Sequence, residues 1–227
     1  MTIWDWFKWF LYLFRRLLGL KIIAIDSNWE SITEAAYDYR QANVYKHFKI
    51  RGFKIVRAQG SNADETYVEA QLTSRKGKKI VYITGVGHGN YDRYTGHNGD
   101  VVFQVGDNRK LVNNRVVHLL SCRTARDLGP DFVNDGCKAF FGYTENFSFY
   151  WGFEDIFFRC DSEIDKRFAY GATANIVYNK TKNIYEEAVD ALIDEGHFYV
   201  AAVLQEDLDI LRCPSIHANY GDKNARI

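Results

Sequence analysis

Lys79-Ile80-Val81-Tyr82-Ile83-Thr84-Gly85-Val86-Gly87 runs into His88-Gly89, and Arg115-Val116-Val117-His118-Leu119-Leu120 runs into Ser121-Cys122. Both runs are short, apolar and rich in β-branched residues, the pattern of strands buried on both faces of a parallel sheet. If the two strands are parallel, the imidazole of His88 and the thiol of Cys122 stand at the same edge of one sheet. Open α/β sheets place their chemistry at that edge. A thiol beside an imidazole can act as a nucleophile toward an electrophilic carbonyl.

Outward from these runs, strand and helix patterns alternate. Lys21–Asp26 and Gly52–Ala58 read as strands, and residues 29–48 and 64–74 as helices. Ser31 with Glu34 three residues on fits a capping box at the start of the first helix. Residues 90–108 carry turn signals around an alternating stretch and predict a small hairpin. A short helix at 130–134 and an apolar strand at 138–143 follow. Helices are expected at 154–170, at 172–195 with a break near Lys180, and at 199–211. Residues 213–227 read as a polar, loose tail. Strands alternating with helices imply one α/β domain over residues 21–212 with a mostly parallel sheet.

Composition narrows the function classes. The 227 residues are 47% hydrophobic, enough for a substantial core. Lysine plus arginine balances aspartate plus glutamate at 29 each, so no global field selects nucleic acid. Four widely spaced cysteines without a CxxC pair argue against a zinc cage and favour reduced thiols in a cytoplasm. Neither a GxxxxGK[ST] phosphate loop nor a GxSxG elbow is present. No cofactor and no metal are expected.

The front of the chain, residues 1–20, reads as a separate amphipathic helix. At ~100° per residue, Asp5, Lys8, Tyr12, Arg15, Arg16 and Gly19 share one face. Phe7, Phe10, Leu13, Phe14, Leu17 and Leu18 share the opposite one, with Trp4 and Trp9 at the borders. A span needs ~20 apolar residues, and Lys8 and Arg15-Arg16 stand too close together for one. Three roles stay open: packing on its own domain, docking in a partner's groove, and lying on a membrane surface. The expected location is the cytoplasm, with a peripheral membrane position if the last role applies.

Cys122 must lose its proton to attack, and a free thiol is mostly protonated at neutral pH. A nearby imidazole, or the start of the helix near Pro130, would favour the thiolate. Gly89 lets its backbone N–H approach a reacting carbonyl, and with the Cys122 N–H it could form an oxyanion hole. His118 is a poor base, because four strand residues separate it from Cys122 by roughly 13 Å. Cys137, Cys160 and Cys213 read as inert.

These blocks resemble the caspase-like (clan CD) cysteine peptidases, and within them the gingipain-like and CHAT-type branch. The similarity covers residues 50–195 and includes Phe132-Val133-Asn134-Asp135-Gly136-Cys137-Lys138-Ala139-Phe140-Phe141-Gly142-Tyr143 and Phe168-Ala169-Tyr170-Gly171-Ala172-Thr173. It implies a three-layer α/β/α sandwich and a Cys/His dyad, with His88 as base, Cys122 as nucleophile, and Gly89 and Cys122 as oxyanion donors. An acyl-enzyme route, a protein or peptide substrate and, for some members, an activating partner follow from the same resemblance. Family loops at this sheet edge line the pocket for the residue before the cut. Asp92, Glu145 and Trp151 are the candidates here, and a carboxylate there would favour lysine or arginine. The competing reading is a non-catalytic caspase-like scaffold recruited by its N-terminal helix.

Overall fold

Apolar runs that alternate between two faces build the centre of the molecule. The structure is a computed structural model that describes residues 3–106 and 111–227; the side chains of residues 3–5, 7–9 and 11 lie outside the description. The expected border positions of Trp4 and Trp9, and part of the turn after Gly106, fall outside it too.

In chain order the elements are α1 (Ile3–Leu18), β1 (Lys21–Asp26), α2 (Ser31–Asn43), α3 (Tyr45–Ile50), β2 (Lys54–Gln59), α4 (Glu65–Thr73) and β3 (Ile80–Val86). A small antiparallel sheet of β4 (Gly89–Asn90), β5 (Arg93–Thr95) and β6 (Val101–Gln104) follows. Then come β7 (Val116–Leu120), α5 (Leu128–Asn134), β8 (Ala139–Tyr143), α6 (Glu154–Ala169), α7 (Ala174–Asp194), α8 (Phe198–Ile210) and β9 (Leu211–Arg212).

The main sheet has the order β2-β1-β3-β7-β8-β9, parallel except for β9. Side chains alternate across each strand, so Ile22, Ala24 and Tyr82 pack with Phe48 and Phe168 on one face. Ile23, Ile25 and Ile83 pack with Val68, Leu72 and Phe132 on the other. Helices α2, α3, α6 and α7 thus cover one side, and α4, α5 and the small sheet cover the opposite side. This is the expected three-layer α/β/α sandwich with a mostly parallel sheet. The strand order reverses between β1 and β3, and the crevice outside their carboxyl ends is the switch point where such sheets bind ligands.

Three local expectations are corrected. Helix 29–48 divides at Val44 into α2 and α3, which lets Tyr45 reach Asp26 and Arg40. The α7 helix runs unbroken through Lys180, because Val177, Thr181 and Tyr185 are buried at helical spacing. The tail is not loose. Cys213, Tyr220 and Ala225 are buried, the Tyr220 hydroxyl donates to the Ala125 carbonyl at 2.9 Å, and Asn175 N donates to the Lys223 carbonyl at 2.8 Å.

The last turns of α1 meet the sheet and helices through Arg15, on the polar face of the helix. Arg15 is buried, donates to the Ala169 carbonyl at 3.1 Å, and stands 4.6 Å over the Phe53 ring. Burial, with the neighbouring Arg51 charge, lowers the Arg15 guanidinium to about 10, still charged at neutral pH. Phe10, Phe14, Leu17 and Leu18 are exposed, Leu17 by 83%. No helix among the described residues is long and apolar enough to cross a membrane.

Candidate active site

The β3 and β7 strands are in register from Tyr82↔Val116 to Val86↔Leu120, a constant offset of 34 positions. Carried two residues past both strands, the same offset sets His88 against Cys122. Gly87 N donates to the Leu120 carbonyl at 3.4 Å, extending the pairing toward the site. Gly89 then lies hard against Ser121 and Cys122. A Cβ at that position would collide with Ser121 Oγ and the Cys122 carbonyl, so only glycine fits without a shift.

His88, Gly89, Ser121 and Cys122 line one cavity of about 410 Å³. Its other walls come from the start of α2, with Ile32, Thr33 and Ala36, from Phe158 of α6, and from the loop Asn146–Phe149 that follows β8. The cavity therefore opens at the carboxyl ends of β3 and β7, one strand over from the switch point.

His88 has a partner that sequence reasoning missed. Its Nε2 lies 2.5 Å from Glu30 Oε1, and its ring meets Trp29 edge-on at 6.4 Å between centroids. Glu30 is also the N-cap residue of α2, yet makes no side-chain cap bond. The expected capping box at Ser31 and Glu34 does not form; the helix starts at Ser31, and Glu34 N instead bonds the Glu30 backbone carbonyl at 2.8 Å. The signal available in the sequence was only that Glu30 follows a strand ending at the same sheet edge.

The Cys122 thiol donates to the Phe147 carbonyl at 3.8 Å. Burial pushes the thiol up, and the Arg123 charge opposes this only in part. The expected lowering by an imidazole or helix start is not found, because the desolvation of a mostly buried sulfur dominates. Arg123 itself holds a left-handed backbone at φ +62°, a strained conformation for a non-glycine residue, with its guanidinium 5.3 Å from the Tyr91 ring centroid.

The three substrate-binding candidates lie outside the cavity lining. Asp92 is paired bidentately with Arg93 at 2.9 Å, and those hydrogen bonds hold its carboxyl below the usual range. Glu145 is engaged by Arg126, and Trp151 is exposed, packed edge-on against Phe149 at 5.1 Å. Each acid is satisfied by a neighbouring arginine at the surface and so offers no carboxylate to the cavity.

His118 sits away from this cavity, fully buried between two carboxylates. Its Nε2 lies 3.1 Å from Asp161 Oδ1 and its Nδ1 3.3 Å from Asp165 Oδ2. These three residues offer donors spaced for a metal ion. Asp165, however, is already held by Arg40, Tyr82 and Thr84 at 2.8–2.9 Å, so the cluster is a buried ion-pair network.

The architecture has a solved counterpart. The complex of Porphyromonas gingivalis RgpB pro- and mature domains matches with a TM-score of 0.55 and 15% identity, over 92% of this chain and 48% of that one. The fold is caspase-like. The chain spans about half the length of that solved one, and at such identity the likeness concerns the fold alone. No protein-family model and no curated protein matches the sequence.

Proposed function

We propose that the chain is a cysteine endopeptidase whose nucleophile is Cys122 and whose base is His88. The observation that carries this reading is the strand register that aligns positions 88 and 122 at the mouth of one cavity. With His88 Nε2 facing Glu30, Nδ1 is the nitrogen left to take the thiol proton. The sulfur then bonds to the substrate carbonyl carbon, and the C=O electron pair moves onto oxygen. The backbone N–H groups of Gly89 and Cys122 are the donors for that oxyanion; one such donor contributes about 3 kcal/mol. Collapse breaks the C–N bond, and the imidazolium returns the proton to the departing amine. Water repeats the sequence on the thioester: His88 takes its proton, oxygen bonds to carbon, and the sulfur leaves. Glu30 stabilises the imidazolium at each stage as a positioning residue.

The scaffold reading has no equal support, because it gives no role to a thiol, an imidazole and a carboxylate gathered at one sheet edge. The test is cleavage of a peptide library and of casein by the full chain. Cys122→Ala abolishes turnover and His88→Ala lowers it by about 10²–10⁴-fold, with the circular dichroism spectrum unchanged. Full activity in Cys122→Ala rules the mechanism out.

The orientation of α1 favours a second element of function, attachment to an anionic membrane surface. The helix is held through Arg15, which leaves Phe10, Phe14, Leu17 and Leu18 facing outward. Exposed Arg16, Lys49 and Lys54 sit on α1 and the segments beside it, the last joined to it by Lys54 N donating to the Leu20 carbonyl at 3.0 Å. An outward apolar face with exposed cations on the same part of the chain is the combination that binds an interface rich in acidic lipids.

A further inference from the structure

We infer that the cavity beside Cys122 receives an uncharged, apolar side chain from the residue on the acyl side of the cut. This rests on the peptidase reading above and names its substrate class. The lean toward lysine or arginine drawn from sequence needs a carboxylate at the cavity wall, and none lines it among the described residues. No lysine or arginine lines it either, and the imidazole that does, His88, is already on Glu30, so an acidic side chain finds no free counter-ion. The wall is instead Ile32, Ala36, Val86, Phe147, Phe149 and Phe158, all apolar.

Acids on the adjoining elements have contacts of their own. Glu30 is on His88. Asp26 is paired with Arg40 at 3.2 Å and takes the Tyr45 hydroxyl. Asp207 accepts from Ser148 N at 3.0 Å, and its burial holds the carboxyl well above the ordinary range, toward the neutral acid. A charged side chain entering this cavity would lose its hydration without gaining a counter-ion, whereas a leucine or phenylalanine gains by leaving water. The polar groups at the wall, Thr33, Asn146 and Ser148, are uncharged.

The test uses the full chain and peptidyl acyloxymethyl ketones that differ only at the acyl-side residue, with the adduct located by mass spectrometry. Leucine or phenylalanine reagents modify Cys122 at least ~tenfold faster than arginine, lysine or aspartate reagents. Ile32→Asp adds a carboxylate at the cavity wall, in the first turn of α2, where an acid also suits the helix. This variant shifts the arginine-to-leucine rate ratio upward by at least ~tenfold. A faster arginine, lysine or aspartate reagent on the unmodified protein, with Cys122 modified, overturns the apolar cavity and leaves the peptidase reading standing. An unchanged ratio in folded Ile32→Asp overturns the assignment in the same way. If no peptide reagent reaches Cys122, whether or not iodoacetamide does, both readings fall.

Discussion

Glu30 occupies a position where a helix ordinarily takes a side-chain cap, and it spends its carboxylate on His88 instead. The first turn of α2 thereby forgoes about 1 kcal/mol of capping, and the imidazole gains a fixed orientation. Glu30→Gln keeps a hydrogen-bond partner but removes the charge, so kcat falls by roughly tenfold, a loss of about 1.4 kcal/mol of transition-state stabilisation, while KM holds. A fall in KM affinity with kcat intact would instead make Glu30 a substrate contact. Gly89→Ala drives a methyl into Ser121 Oγ and the Cys122 carbonyl, and should cost activity more than stability, read by turnover against thermal melting. His88 and Cys122 were legible in the sequence because each closes an apolar strand, and parallel strands share their carboxyl edge. Glu30 was not, since its partner stands 58 positions away across a loop and no periodicity links them. The apolar cavity was hidden for the same reason: α2, α6 and the loop after β8 meet only in three dimensions.

At the scale of elements, the strands and most helices followed from local pattern, while the orientation of α1 did not. Periodicity reveals that a helix has two faces, not which one its domain will hold. Here a single buried guanidinium decides it, through the Ala169 carbonyl and the Phe53 ring. The tail misled for a related reason. Its composition is polar, but Tyr220 and the backbone of residues 222–225 find partners on β8, α7 and the loop after β7. The proposed membrane role predicts that the full chain floats with vesicles containing phosphatidylserine and that a chain lacking residues 1–20 does not. Phe14→Glu with Leu17→Glu should abolish flotation without lowering peptidase turnover, because both side chains face away from the cavity lining. Equal flotation of intact and truncated chains removes the role.

Across the whole molecule, one buried polar network ties the sheet to the helices that form the cavity. It links Asp26 of β1, Arg40 of α2, Tyr82 and Thr84 of β3, His118 of β7 and Asp165 of α6. Tyr143 of β8 and Tyr185 of α7 join it through Asp161. Such a network is costly to desolvate, and its ionised members stabilise the fold only while each keeps its charge. Burial works against a charged His118, but Asp161 and Asp165 outweigh it and lift the ring from 6.5 to about 9. Burial likewise opposes ionised Asp165, but Arg40 and His118 prevail and hold it well below the ordinary range. The signs differ. The His118 contribution is complete below its unfolded value of 6.5 and disappears as pH rises through about 9. That of Asp165 is complete above its ordinary 3.8 and disappears only in stronger acid. Between these limits stability should be flat, and from pH 6.5 to 9 it should decline by on the order of 3 kcal/mol. Thermal melts of the full chain from pH 5 to 9.5 read this directly. His118→Gln should melt lower throughout but lose the alkaline slope, since the variant has no proton to release there. A wild-type profile as level as that of His118→Gln would mean that the ring is neutral in the folded protein and that the network is held by Arg40 alone.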